Sequence, residues 1–262
     1  MIARLGVRVV AWAVLAYLML PLVVILGSSL TTTEFLAFPP QGVTLRWYQQ
    51  MLHDPSYLSA FSTSTLLALA ATALSLVLTV PASLVLARYD FPGKRTLSAV
   101  LMAPLTLPHI VLGAALLQFG GYFGLTRSFT SLLIGHTIIV APFVLRSVLS
   151  MMTPEQRALE EASGDLGANP WTTFFLVVLP RIRPGIVTGS IFAFISSWIN
   201  VELSIFNTTA DLNTIPVKLF NYVQYTIDPT IAAVSGATIL VAVAAIVILD
   251  LTIGLDMLSD RN

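Results

Sequence analysis

Residues 153–184 read TPEQRALEEASGDLGANPWTTFFLVVLPRIRP, a polar stretch set between long apolar runs. Four of the chain's thirteen acidic residues lie here, Glu155, Glu160, Glu161 and Asp165, with three of the thirteen basic ones, Arg157, Arg181 and Arg183. The local chemistry predicts two short helices joined by an elbow. Thr153 caps the first, Pro154 takes the first helical position, and Gln156 follows the cap by three residues, as a capping box requires. Gly167 supplies the left-handed residue that ends a helix. Asn169 followed by Pro170 starts the next one. On the first helix Ala158, Leu159, Ala162 and Leu166 share one face at helical spacing, while Arg157, Glu160, Glu161 and Asp165 lie on the opposite arc. The expectation is an apolar face resting on the protein itself and a charged arc shown to a partner.

What surrounds this stretch decides the class. The 262 residues are 56% hydrophobic and 10% charged, against about 25% charged in soluble domains. With a mean hydropathy of +0.87, the chain reads as an all-α, polytopic membrane protein. There is no cysteine, which excludes a disulfide framework and a thiolate metal site. No G-x-x-x-x-G-K-[ST], H-E-x-x-H or G-x-S-x-G is present, nor a basic patch suited to nucleic acid.

A transmembrane helix needs roughly 20 apolar residues, and six runs qualify, near 9–30, 61–87, 97–119, 129–151, 184–206 and 231–253. The first follows Arg4 and Arg8, is longer than a typical signal core and has no A-x-A site following it at the right place, so it is expected to be retained as a span. Basic residues collect on the cytoplasmic side of a bilayer. With the N-terminus inside, Arg4, Arg8, Arg88, Lys94, Arg95, Arg146, Arg157, Arg181, Arg183 and Arg261 are cytoplasmic. Arg46, Arg127 and Lys218 are then outside. Both termini and the 153–183 segment are accordingly expected in the cytoplasm. The chain divides into a first transmembrane helix (1–30), an outer segment (31–60) and a core of five helices (61–254).

Glu161-Ala162-Ser163, Gly167 four residues later, and Val177-Val178-Leu179-Pro180 reproduce the E-A-A, three residues, G, nine residues, I-x-L-P spacing of bacterial ABC importer permeases. Ser163 for Ala and Val177 for Ile are the departures. The chain resembles that family, and the resemblance implies the six-helix type I ABC importer permease fold. It also implies a second, similar permease, two cytoplasmic ATPases docked on the E-A-A loops, and a binding protein that delivers the solute at the outer face of a bacterial inner membrane. ATP and Mg belong to the ATPase partners; this chain is expected to hold no cofactor and to perform no bond chemistry. The docking residues implied are Glu160, Glu161, Ala162, Ser163, Asp165, Gly167, Leu179 and Pro180.

The remaining features bear on the pathway. Trp47, Tyr48 and Tyr57 in and beside the outer segment suit the membrane–water interface. The second run carries Ser62, Ser64, Thr65, Thr72, Ser75, Thr79 and Ser83, a pattern expected at a helix–helix contact. Pro104 and Pro108 imply a kink or break in the third. His109 and His136 are expected to bond to neighbouring helices. Glu202 and Asp250 are the main acids inside apolar runs, where a carboxylate costs about 2.5–3.5 kcal/mol on insertion scales and is by default functional. Asp250 lies near the cytoplasmic end of its run. Glu202 with Trp198 and Asn200 suits a cationic amine, the acid giving charge and the ring cation–π attraction. At helical spacing Trp198 and Glu202 share a face and Asn200 does not.

The Trp47-Tyr48 segment and the stretch 214–235 are similar to the spermidine/putrescine permease branch, which implies a polyamine as solute. Trp198-Ile199-Asn200 departs from the acid-bearing stretch common in that branch, which leaves aminophosphonate, ferric iron or thiamine as alternatives. A proton-coupled carrier using Glu202, Asp250, His109 and His136 is the rival from another class.

Overall fold

The computed structural model describes residues 2–253, and the side-chain surroundings of residues 6–244 and 247. Asp250 and Arg4 lie outside the residues whose side chains are described, and Arg261 lies outside the described residues altogether. Among the described residues the fold is all-helical. The helices are α1 (Ile2–Ser28), α2 (Arg46–His53), α3 (Pro55–Arg88), α4 (Lys94–Met102), α5 (His109–Phe123), α6 (Phe129–Leu149), α7 (Pro154–Asp165), α8 (Pro170–Thr173), α9 (Leu179–Trp198), α10 (Ile215–Val223) and α11 (Pro229–Ile253). They form two compact units, residues 2–59 with 218–244, and residues 60–217 with 245–253.

The larger unit is built on α6 and α9. Val140, Val144 and Val148 of α6 meet Val178, Ile182 and Ala193 in one buried cluster. Two glycines of α9, one turn apart, allow this contact. A Cβ on Gly185 would lie 2.6 Å from the carbonyl oxygen of Ser147, and one on Gly189 would lie 2.8 Å from Cα of Val144. Small residues spaced by four let helix backbones approach where no hydrophobic force separates helix from lipid. On α3, Ser64, Ala68, Ala71, Ser75, Thr79 and Ser83 form a buried face, as its small residues predict. Thr79 and Ser83 donate to their own helix, to the carbonyls of Ser75 and Thr79 at 2.8 and 2.7 Å. Ser64 does reach across, accepting from the backbone N–H of Ile215 at 2.8 Å.

Two expected spans are reshaped. The third is a bent pair, Lys94–Leu105 and His109–Phe123, meeting at 104°. Pro104 and Pro108 lack the N–H that would continue the ladder. The fifth was expected over 184–206, but its helix ends at Trp198 and a turn follows. Asn200 explains the stop: its buried Oδ1 accepts from the backbone N–H of Leu203 at 2.9 Å, replacing the helical ladder with a side-chain bond.

Among the described residues four helices are long and apolar enough to cross a bilayer, or five if the bent pair counts as one span. The sixth expected span falls on α11 (Pro229–Ile253), of which the part with described side chains, Pro229–Ala244, is a shorter apolar helix.

In the smaller unit no residue of the most apolar window of α1 is buried, so lipid or another chain must cover it. The outer segment packs inward instead of ringing the membrane surface. Trp47 and Tyr57 are buried, and Trp47 Nε1 donates to the carbonyl of Thr31 at 2.8 Å. Tyr48 bonds Ser29 Oγ at 2.9 Å. The interfacial role expected of Trp47 gives way to a core role, because the indole N–H finds a backbone acceptor that removes its need for water, whereas the buried Tyr57 hydroxyl has no hydrogen-bond partner. The Lys218 ammonium lies 4.2 Å from the Tyr57 ring centroid.

Candidate functional site

The capping chemistry of the polar stretch is in place. Thr153 Oγ1 accepts from the backbone N–H of Gln156 at 3.4 Å, and Pro154 opens α7. The same hydroxyl holds the carboxyl of Glu155 below its ordinary range. Gly167 sits at φ +84°, a conformation that costs a side-chain-bearing residue about 1–2 kcal/mol. The backbone N–H groups of Gly167 and Ala168 return to the carbonyls of Gly164 and Ser163 at 2.9 and 3.1 Å, closing the helix end. Asn169 Oδ1 then accepts from the N–H of Thr172 at 2.9 Å and starts α8. Ser163 Oγ meets Thr173 Oγ1 at 3.0 Å across the elbow, a tie that alanine at this place would not make.

Leu179-Pro180 leaves its mark on the backbone. Pro180 cannot donate to the carbonyl of Leu176, four residues back. The chain widens just before it into a π-turn over Phe174–Val178, with Leu179 N–H bonding the carbonyl of Phe174. Leu179 is half-buried and Pro180 exposed. No sequence motif announced the π-turn; a proline directly after the apolar run 174–179 was the available signal.

The faces of α7 differ from expectation. Gln156 is its one buried residue. Glu160, expected on the outward arc, turns inward with its side chain 15% exposed, and its Oε2 lies 2.6 Å from Nη2 of Arg88. Leu159 is exposed, and Leu166 is 90% exposed. Arg157 and Glu161 do face outward, as a local pair at 3.1 Å; Asp165 and Ala162 are exposed too. The cause is long-range: Arg88 ends α3 and draws Glu160 inward. The elbow therefore presents an apolar patch beside its charges. Leu166, Trp171, Phe175 and Leu176 are all largely exposed, with the Trp171 and Phe175 rings stacked at 6.3 Å.

The three residues expected to line a path are not brought together. Trp198 is 2% exposed; its Nε1 donates to Thr65 Oγ1 at 3.2 Å and its ring lies 5.9 Å from that of Phe61. Asn200 is buried, with Nδ2 at 3.1 Å from Nδ1 of His109. Glu202 is exposed on the turn. Because the helix ends at Trp198, Trp198 and Glu202 do not share a helical face. The turn carrying Glu202 is strapped to α5 and α6. His136 is buried and bridges Ser197 Oγ at 2.7 Å and Ser204 Oγ at 2.9 Å, and Asn207 Nδ2 donates to the carbonyl of Gly113 at 2.9 Å. Gly113 permits the contact, since a Cβ there would lie 2.8 Å from the Leu203 carbonyl oxygen. His109 and His136 thus bond to neighbouring elements.

Comparison with known proteins follows this geometry. Residues 79–260 match the family described as "Binding-protein-dependent transport system inner membrane component". The chain is 28% identical over 237 residues to the spermidine/putrescine transport system permease protein PotC of Escherichia coli, covering 90% of this chain and 89% of that one. It is 31% identical over 216 residues to the putrescine transport system permease protein PotI of Escherichia coli, covering 79% and 75%. Among solved structures, a bacterial ABC transporter involved in import of the acidic polysaccharide alginate shares the fold, with a TM-score of 0.66 at 18% identity over 93% of this chain and 92% of that one. The elbow between apolar helices and the extent of these matches agree, and the chain belongs to the inner-membrane permease family of binding-protein-dependent ABC importers.

Proposed function

We propose that this permease conducts a polyamine, putrescine or spermidine, and forms half of a pathway completed by a second permease. Kinship with two polyamine permeases carries the substrate class. Glu202 adds a carboxylate exposed at the end of the fifth span, where a cationic solute can meet it. In the bilayer a cation gains most from a fixed negative group that needs no reorganisation. Trp198 and Asn200, both buried, act on this path by holding the turn in place rather than by touching solute. The test is uptake in proteoliposomes holding this chain, its partner permease, the ATPases and the binding protein. Labelled putrescine or spermidine should accumulate with ATP. A binding protein that takes only anions would overturn the substrate class.

Glu202→Gln keeps shape and removes charge. A hydrogen bond to a charged group is worth about 1.5–3 kcal/mol, so uptake should fall about tenfold or more at limiting polyamine. Membrane level and ATPase attachment should stay normal. Normal uptake would remove Glu202 from the path.

The elbow, in this reading, is the docking site for one of two ATPases. Glu161, Ala162, Ser163, Asp165 and Gly167 shape it, with Leu179 and Pro180 setting the entry of α9. Closure of the ATPases would move the elbow and switch the spans between two rigid states of different solute affinity. The docking site must then be cytoplasmic, with both termini on the same side. The chain has no cysteine, so single cysteines report topology directly. Those placed in 31–60 and 207–230 should react with an impermeant maleimide from outside, and those in 88–95 and 153–183 should not. Outside labelling near Glu161 would end the orientation and the docking assignment together.

A further inference from the structure

A helix holds its place on a protein by the residues it buries, and α7 buries no apolar residue: Gln156 alone is buried. Beyond its contact with the π-turn that leads into α9, what ties α7 to α3 is polar. Arg88, in the last turn of α3, meets Glu160 at 2.6 Å, with side chains 28% and 15% exposed. Gln156 Nε2 approaches the other oxygen of Glu160 at 3.5 Å. Three ion pairs occur among the described residues; Asp90–Lys94 and Arg157–Glu161 are local, four residues apart, and only Arg88–Glu160 joins segments remote in sequence. Clefts of about 390 and 260 Å³ flank the pair, both lined by Arg88, Arg157 and Glu160. Between α3 and α7 the contact is therefore narrow, and this pair is its centre. Arg88 Nε and Nη2 are both buried and make no hydrogen bond, so the ionic contact with Glu160 is what compensates the guanidinium for lost water.

We propose that the Arg88–Glu160 pair is the strut through which movement of the elbow reaches α3, with Glu160 a positioning residue and not an ATPase contact. This rests on the elbow being the ATPase-docking site. A push on Leu166 and its neighbours moves α7. With little apolar packing beneath it, α7 would slide over the end of α3 unless an ionic tie carried the displacement. Arg88 suits the task because it closes a 34-residue helix that continues unbroken through Pro81. A cation in the last turn is also favoured by the helix dipole.

The experiment needs no solute. A single reporter, Ile199→Cys, lies exposed on the turn after α9 and is labelled with maleimide in the assembled complex, with and without ATP–vanadate. Trapping should change the wild-type labelling rate several-fold. Arg88→Glu or Glu160→Arg should abolish that change, so that trapping leaves the labelling rate nearly the same, a loss within the usual range of coupling between sites. ATPase co-purification and membrane level should stay normal in both. The exchange Arg88→Glu/Glu160→Arg should restore the response to within about twofold, as a direct pair requires. Lys94→Ala, which breaks a local pair, should leave it unchanged.

A normal response in either single variant overturns the strut. So does failure of the exchange to restore it, or a wild-type reporter that ignores trapping in a complex that holds its ATPase. Loss of ATPase co-purification with Glu160→Arg alone would make Glu160 a docking contact instead. A wild-type chain that never retains the ATPase would fail the docking assignment itself, and the strut with it.

Discussion

Leu166→Asp is expected to abolish ATP-driven uptake while the permease reaches the membrane at its normal level. Leu166 is 90% exposed, so a charge there breaks no packing within the chain. Leu166 caps the C-terminal end of α7, directly before Gly167 at its positive φ. A leucine so placed, beside exposed Trp171, Phe175 and Leu176, has the character of an interface anchor, whose truncation typically costs 2 kcal/mol or more. An aspartate adds the desolvation of a charge, so ATPase attachment should weaken by about 30-fold or more. Co-purification of the ATPase at graded detergent and salt measures this directly. Gly167→Asp should act in the same direction through the strained backbone. Glu161→Lys should do less, because an exposed pair such as Arg157–Glu161 contributes at most about 1 kcal/mol. Normal uptake and normal ATPase attachment in Leu166→Asp would show that docking does not use the apolar patch.

Gly189→Leu should prevent the chain from accumulating as a folded protein. The Cβ would meet the backbone of Val144 at 2.8 Å, and backbone, unlike the end of a flexible side chain, has no rotamer to retreat into. The α6–α9 contact is the centre of the larger unit, so separating these helices opens the buried cluster of Val140, Val144, Val178 and Ile182. Overpacking of this kind costs about 1–3 kcal/mol, occasionally more, a large share of the total stability of a domain. Fluorescence-detected size exclusion after a heating series should show a fall in midpoint or loss of the monodisperse peak. Gly121→Ala is the control: nothing lies within 4 Å of its added Cβ, and its profile should match the wild type. If Gly189→Leu behaves like the control, the close approach of α6 and α9 is not what holds this unit together.

The features legible in the sequence share one property: their determinants lie within a few residues of each other. Thr153 with Pro154 and Gln156, Gly167, and Asn169 with Pro170 set the two caps and the elbow, because a cap is a bond between a side chain and an amide two or three positions away. Pro104 and Pro108 announced the bend in the third span by removing backbone donors on the spot. The apolar runs named the bilayer as solvent, since length and composition alone decide that.

What the sequence could not reveal depends on partners far along the chain. Periodicity put Glu160 on the outward arc, and Arg88 at the end of α3 turns it inward and leaves Leu166 in the open. An unbroken apolar run carried the fifth span to residue 206, and Asn200, His109, His136 and Asn207 end it at Trp198 by tying the next turn to α5 and α6. Gly185 and Gly189 looked like any two glycines until α6 lay against them. A helix's period is a local property, but which of its faces turns inward is set by the charges and hydrogen-bond partners that folding brings opposite it, and those are chosen only in three dimensions.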